Sequence, residues 1–148
     1  MTTQVKRSIL FLIGNIAVSA TYFAIIASRA IQNPLWNPDN GAWWARAILI
    51  YVPVQIVFRI LSMIILAVHN TATGELEAID REDELDKSID LKSTSITSCV
   101  FMVFFLAALA TQAFGLPLLW LYAIFAAGLV TSGIIGDAAN LAGYCSRY

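Results

Sequence analysis

Charge is what this chain has least of. Only 13% of its residues are Asp, Glu, Lys or Arg, against 59% hydrophobic, whereas soluble domains run near 25% charged. A soluble fold of 148 residues could not cover that much apolar surface, so the expected partner of that surface is a lipid bilayer. The net charge of -1 leaves no basic excess and argues against nucleic acid as a partner. Cysteine is nearly missing. Cys99 sits in an apolar run and Cys145 near the C-terminus, with no CxxC and no Cys/His cluster, so no redox pair, no zinc site and no cofactor is expected. The single histidine, His69, lines up with no nucleophile or ligand partners, so the chain is not expected to be an enzyme.

The scarce charges divide the chain into apolar runs. Arg7 and Arg29 enclose 21 uncharged residues, enough to cross a hydrocarbon core of about 30 Å. Lys6 and Arg7 before this run, with "VSA" at 18–20, have the look of a signal peptide. The apolar run continues past that point, so a retained span is expected. The second run, 47–68, holds one charge, Arg59, and 44 residues from Ser93 to Gly136 hold none. That last stretch is too long for one crossing and right for two. It breaks at "FGLPLLW", where Gly115 and Pro117 end one helix and start the next. The reading is an all-α, polytopic membrane protein: one domain over 1–148 with transmembrane helices at roughly 8–28, 47–69, 94–114 and 117–137.

Lys6, Arg7, Arg81, Lys87, Lys92 and Arg147 fall on one side of these spans, and only Arg29 and Arg46 on the other. The positive-inside bias makes both termini and the 70–93 connector cytoplasmic. Trp36, Trp43, Trp44 and Trp120 fall on the outer side, at the wet, apolar boundary indole prefers. The loop "RAIQNPLWNPDNGAWWAR" is turn-rich and reads as a surface anchor or, less simply, a substrate lid.

The connector is acidic. Glu75, Glu77, Asp80, Glu82, Asp83, Glu84, Asp86 and Asp90 stand against Arg81, Lys87 and Lys92. Glu77–Arg81 and Asp83–Lys87 are acid-to-base pairs at i, i+4, the favourable order on a helix. Thr73 is an expected N-cap with Glu75 and Glu77 in the first turn. The third helix is therefore expected to extend into the cytoplasm by about three to four turns. Within this segment "DELDKSIDLKSTSIT" (83–97) resembles a motif before the third helix of small bacterial four-helix membrane proteins, roughly Asp-Glu-Arg-Asp/Glu-x-x-Ile-Glu-x-Lys/Arg-Ala/Ser. Asp83, Glu84, Asp86, Ile89, Asp90, Lys92 and Ser93 match, and Leu85 stands where that family usually has Arg. The resemblance implies a bacterial inner-membrane protein and no particular activity. Three readings of the acids remain open: a solvated helix, a docking face for a basic cytosolic or membrane partner formed by Asp83, Glu84, Asp86, Lys87 and Asp90, or a divalent-cation site.

Inside the spans, Arg59 needs protein or water around it, since Arg at a helix centre costs about 2.5–3.5 kcal/mol. Tyr51, Gln55, Arg59 and Ser62 share one helix face, and Asn15 and Ser19 are the expected partners of Arg59. Asp137 is expected nearer the cytoplasmic end, out of direct reach without snorkelling or a shifted fourth helix. Gly128, Ser132 and Gly136, and on the first helix Ala20, Ala24 and Ser28, are small residues at four-residue spacing, which permits close helix packing or a homodimer seam. Two functional classes follow. One is a non-enzymatic interaction or regulatory protein working through the acidic helix. The other is a small homo-oligomeric transporter or channel with a polar site at Arg59. Small multidrug exporters share the four-helix layout but rely on an acid in the first helix, and this first helix has none.

Overall fold

Leucine, isoleucine, valine and alanine fill runs with few helix breakers, and each run closes its own backbone hydrogen bonds, as a chain crossing lipid must. The computed structural model describes residues 3–32, 41–73 and 84–146. They form four helices: α1 (Thr3–Gln32), α2 (Gly41–Thr73), α3 (Glu84–Ala113) and α4 (Leu118–Cys145). All four are long and apolar enough to cross a membrane. α3 lies most extensively against α4, α4 also carries α1, and α2 rests on α1 and α4.

The burial pattern is that of a protein in lipid. The buried set includes Ser8, Asn15, Ser19, Ser62, Asp86, Ser93, Thr111, Ser132 and Asp137, while Leu49, Ile65, Val68, Leu91 and Val103 face outward. Polar groups turn inward because hydrocarbon offers them no hydrogen bonds.

The expected helix ends are too short at several points. α2 already includes Gly41 to Arg46, because "AWWARAILIYV" contains no breaker. Trp43, Trp44 and Arg46 are therefore helical, not part of the loop. α2 then runs through Pro53 to Thr73. Pro53 has no N–H for the Leu49 carbonyl, a loss membrane helices tolerate. Thr73 is the last described residue of α2, and the capped first turn expected at Glu75 and Glu77 lies outside the described residues. Residues 74–83, with most of the expected cytoplasmic extension and Asp83, lie outside the described residues, as do Trp36 and the rest of 33–40 in the first loop. α4 continues to Cys145, about two turns beyond its expected end, because Ala138, Ala139, Leu141 and Ala142 favour helix.

The α3–α4 turn matches its sequence signal. Gly115 has φ +70°. Its N–H bonds to the Gln112 carbonyl (3.1 Å) and that of Leu116 to the Thr111 carbonyl (2.9 Å), the Schellman arrangement that a left-handed residue completes. Gly115→Ala is expected to lower stability by about 1–2 kcal/mol, the cost of a Cβ in that conformation. Unfolding of the detergent-solubilised protein measures it, with Gly115→Asn expected to lose less.

Small residues set the helix spacing. A Cβ on Gly128 would lie 2.5 Å from the Phe104 Cβ, and one on Gly136 would run into the Thr97 hydroxyl. Gly128 and Gly136 thus face α3 and, with buried Ser132, form the face of α4 that α3 covers. Ala20, Ala24 and Ser28 are exposed.

Candidate functional site

The polar residues of three helices meet in one network. Asp137 on α4 is its hub. Arg59 Nη2 on α2 donates to Asp137 Oδ1 at 2.9 Å, and Asn15 Nδ2 on α1 donates to Asp137 Oδ2 at 2.8 Å. Both carboxylate oxygens are thereby occupied, and the Asp137 side chain is only 8% exposed. The Arg59 side chain is 48% exposed, so its charge is matched by Asp137 but not enclosed.

The direct ion pair corrects the expected separation of these residues. Because α4 extends past Asp137, the acid sits inside the helix and not at its end, level with Asn15 and Arg59. Gly133 also helps: a Cβ there would lie 2.9 Å from Asn15 Nδ2, so its lack of one leaves room for the amide to reach across. Asn15 and Ser19, expected as partners of Arg59, serve the network at one remove.

From Asn15 the bonds run toward the tryptophan end. Gln55 Nε2 lies 3.2 Å from Asn15 Oδ1, 3.0 Å from Ser19 Oγ and 2.8 Å from Tyr51 Oη. The Ser19 and Tyr51 hydroxyls are 2.8 Å apart, and Ser19 Oγ also donates to Asn15 Oδ1 at 3.3 Å. One turn further, the Tyr22 hydroxyl donates to the Ala47 carbonyl. The structure thus gathers all four intramembrane residues singled out in the sequence: Arg59, Gln55, Asn15 and Tyr51. Asp137 is the member that sequence reasoning did not place there, and Tyr22, bonded beside the network to the Ala47 carbonyl, was not anticipated either. The acid was visible as a lone carboxylate at a membrane edge; the tyrosine carried no signal.

Toward the other end the network opens on a cavity of about 420 Å³. Arg7, Ser8 and Phe11 of α1, Arg59 of α2, Asp90, Ser93, Thr94, Thr97 and Ser98 of α3 and Gly133, Gly136, Asp137, Asn140 and Tyr144 of α4 form its walls. Phe11 separates two cations: the Arg7 guanidinium carbon is 5.5 Å from its ring centroid and that of Arg59 is 5.8 Å. Ser93 Oγ donates to the Gly136 carbonyl at 2.6 Å and Thr97 Oγ1 to the Ser93 carbonyl at 2.9 Å. Those hydroxyls tie α3 to α4 and close its own turn. Thr94 and Ser98 line the same space and are exposed to it.

The acidic entry to α3 divides. Asp86 is buried, at 6% exposure, and is not presented outward. Asp90 lines the cavity. Lys87 is exposed, the Glu84 side chain lies outside what is described, and Asp83 is outside the described residues altogether. Of the five residues expected in a docking face, Asp86 is thus buried and Asp90 lines the cavity. Among the described residues no three His, Cys, Asp or Glu side chains converge as metal ligands.

Comparison with known proteins gives no match: no family model, no curated protein and no solved structure aligns with this chain.

Proposed function

We propose that this chain is a non-enzymatic membrane protein that binds and passes a small polar solute through the chamber at Arg59 and Asp137. Its proposed setting is the bacterial inner membrane, as a homo-oligomer with both termini cytoplasmic. The observation that carries the reading is an ion pair inside the spans that opens on a hydroxyl-lined cavity of about 420 Å³. An ion pair serving only to fix helix packing needs no space beside it, and apolar replacements of such pairs are often neutral or stabilising. Intramembrane charge facing a cavity marks solute and ion pathways. The cytoplasmic placement rests on the Lys and Arg bias, and the oligomer on the exposed small residues Ala20, Ala24 and Ser28 together with the shallow interior of four helices. Docking of a basic partner on the acidic segment has less behind it, since Asp86 is buried and Asp90 faces the cavity.

Purified protein in proteoliposomes tests the reading, with uptake of a panel of small radiolabelled polar solutes as readout. Arg59→Ala is expected to cut the uptake rate by about tenfold or more, the loss of one charge-assisted contact. Lys87→Ala, outside the chamber, is expected to leave it unchanged. Equal rates from wild type and Arg59→Ala would remove the assigned role.

A further inference from the structure

The chamber holds bonding capacity of both signs that the protein does not use itself. On the donor side, Arg7 touches the Phe11 ring and has no ion pair or hydrogen bond among the described residues. Arg59 spends one N–H on Asp137 and keeps the rest of its fork free. On the acceptor side, Asp90 lines the cavity with no ion pair among the described residues. Asn140 Oδ1, from the same lining, is buried without a hydrogen-bond partner. A buried acceptor left unpaired costs free energy unless something supplies a donor. Arg59 is already matched by Asp137, so among the described residues the unmatched charges on the cavity wall are one cation, Arg7, and one anion, Asp90.

We propose that the ligand of this chamber is a zwitterion carrying an anionic oxygen group and an ammonium, received by Arg7 and Arg59 on one side and by Asp90 and Asn140 on the other. A simple anion would leave Asp90 repelling it and Asn140 unsatisfied. A simple cation would meet two guanidinium groups and find its best acid, Asp137, already enclosed by Asn15 and Arg59. A zwitterion answers both sets and enters without adding net charge to a low-dielectric site. The hydroxyls of Thr94 and Ser98, each able to donate or accept, suit either end. The cavity volume lies within the range of small-molecule sites. Two sources share this chemistry: free neutral amino acids and the headgroup of an ethanolamine phospholipid. The proposal rests on the solute-chamber reading above and names its ligand class.

Thermal unfolding of the full-length protein in detergent, followed by tryptophan fluorescence, tests it with four probes at matched concentration. These are a mixture of neutral L-amino acids, glycerophosphoethanolamine, acetate and ethylamine. A saturable rise in Tm is expected with at least one zwitterionic probe and little with acetate or ethylamine. The apparent affinity is expected to fall about tenfold in Arg7→Gln and again in Asp90→Asn, each removing one charge-assisted contact. A response to the amino acids places the ligand as a free solute; a response to glycerophosphoethanolamine places it as a lipid headgroup. An acetate response equal to that of the zwitterions, unchanged by Asp90→Asn, would overturn the proposal and leave the chamber standing as an anion site. Silence with all four probes would overturn it as well, and Arg59-dependent uptake in proteoliposomes then reports separately on the chamber.

Discussion

Asp137→Ala is expected to cost the bundle about 3 kcal/mol, near the low end of the 3–5 kcal/mol typical when one partner of a buried pair is removed. The variant leaves the Arg59 charge without a counter-charge and the Asn15 amide without its acceptor. The low end is expected because Arg59 is 48% exposed and can turn toward water in the cavity. Arg59→Met should cost less, since Asn15 still bonds the carboxylate. The double variant Arg59→Met/Asp137→Ala should recover part of the loss of Asp137→Ala alone, because no unpaired charge remains. Neutral members of the network matter less: interhelical hydrogen bonds in membranes average about 0.6 kcal/mol, so Ser19→Ala or Gln55→Leu should each fall near that value. Unfolding in mixed micelles by added SDS measures all of these, and strictly additive losses in the cycle would mean that the pair is not coupled.

Gly128→Ala is the second large effect, about 1–3 kcal/mol of overpacking strain. The added methyl meets the Phe104 Cβ at 2.5 Å. A Cβ moves only with its backbone, so the ring cannot swing away and α3 itself must shift. Gly14→Ala provides the contrast. There the nearest atom is Cζ of Phe58, the far end of a side chain that can rotate at lipid-exposed α2. Replacing glycine by alanine in a helix interior also returns about 1 kcal/mol of propensity, so Gly14→Ala should be close to neutral. The same SDS titration distinguishes them, and equal losses at both glycines would contradict the close α3–α4 contact at Phe104.

The four spans were legible because uncharged runs of about 20 residues have one physical solution in lipid. The α3–α4 turn was legible because Gly115 and Pro117 have conformational preferences that act locally. The polar face of α2 was legible from helical spacing alone. The Arg59–Asp137 pair was not, because the depth of one helix relative to another depends on where each one ends. Nothing local marks α4 as ending at Cys145 instead of Asp137: the helix simply meets no breaker. The depth error therefore came from the tail of α4 and not from the chemistry of either residue. Asp86 is the opposite case. A charge run reads as a solvated face, and only tertiary contact shows that one acid of the run turns inward while Asp90 faces the chamber.

The most direct test of a hydrated chamber inside these spans is cysteine accessibility in native membranes, with Cys99 and Cys145 replaced by serine. Ser98→Cys would place a thiol on the cavity wall, and Met102→Cys would place one on the outward face of α3, where the methionine is 54% exposed and is not part of the chamber lining. A thiol ionises and reacts with a membrane-impermeant maleimide only where water reaches it. The chamber predicts rapid labelling at position 98 from the side bearing the termini, and slow labelling at 102. Equally slow labelling at both positions would contradict it, leaving Arg59 and Asp137 as a sealed packing element.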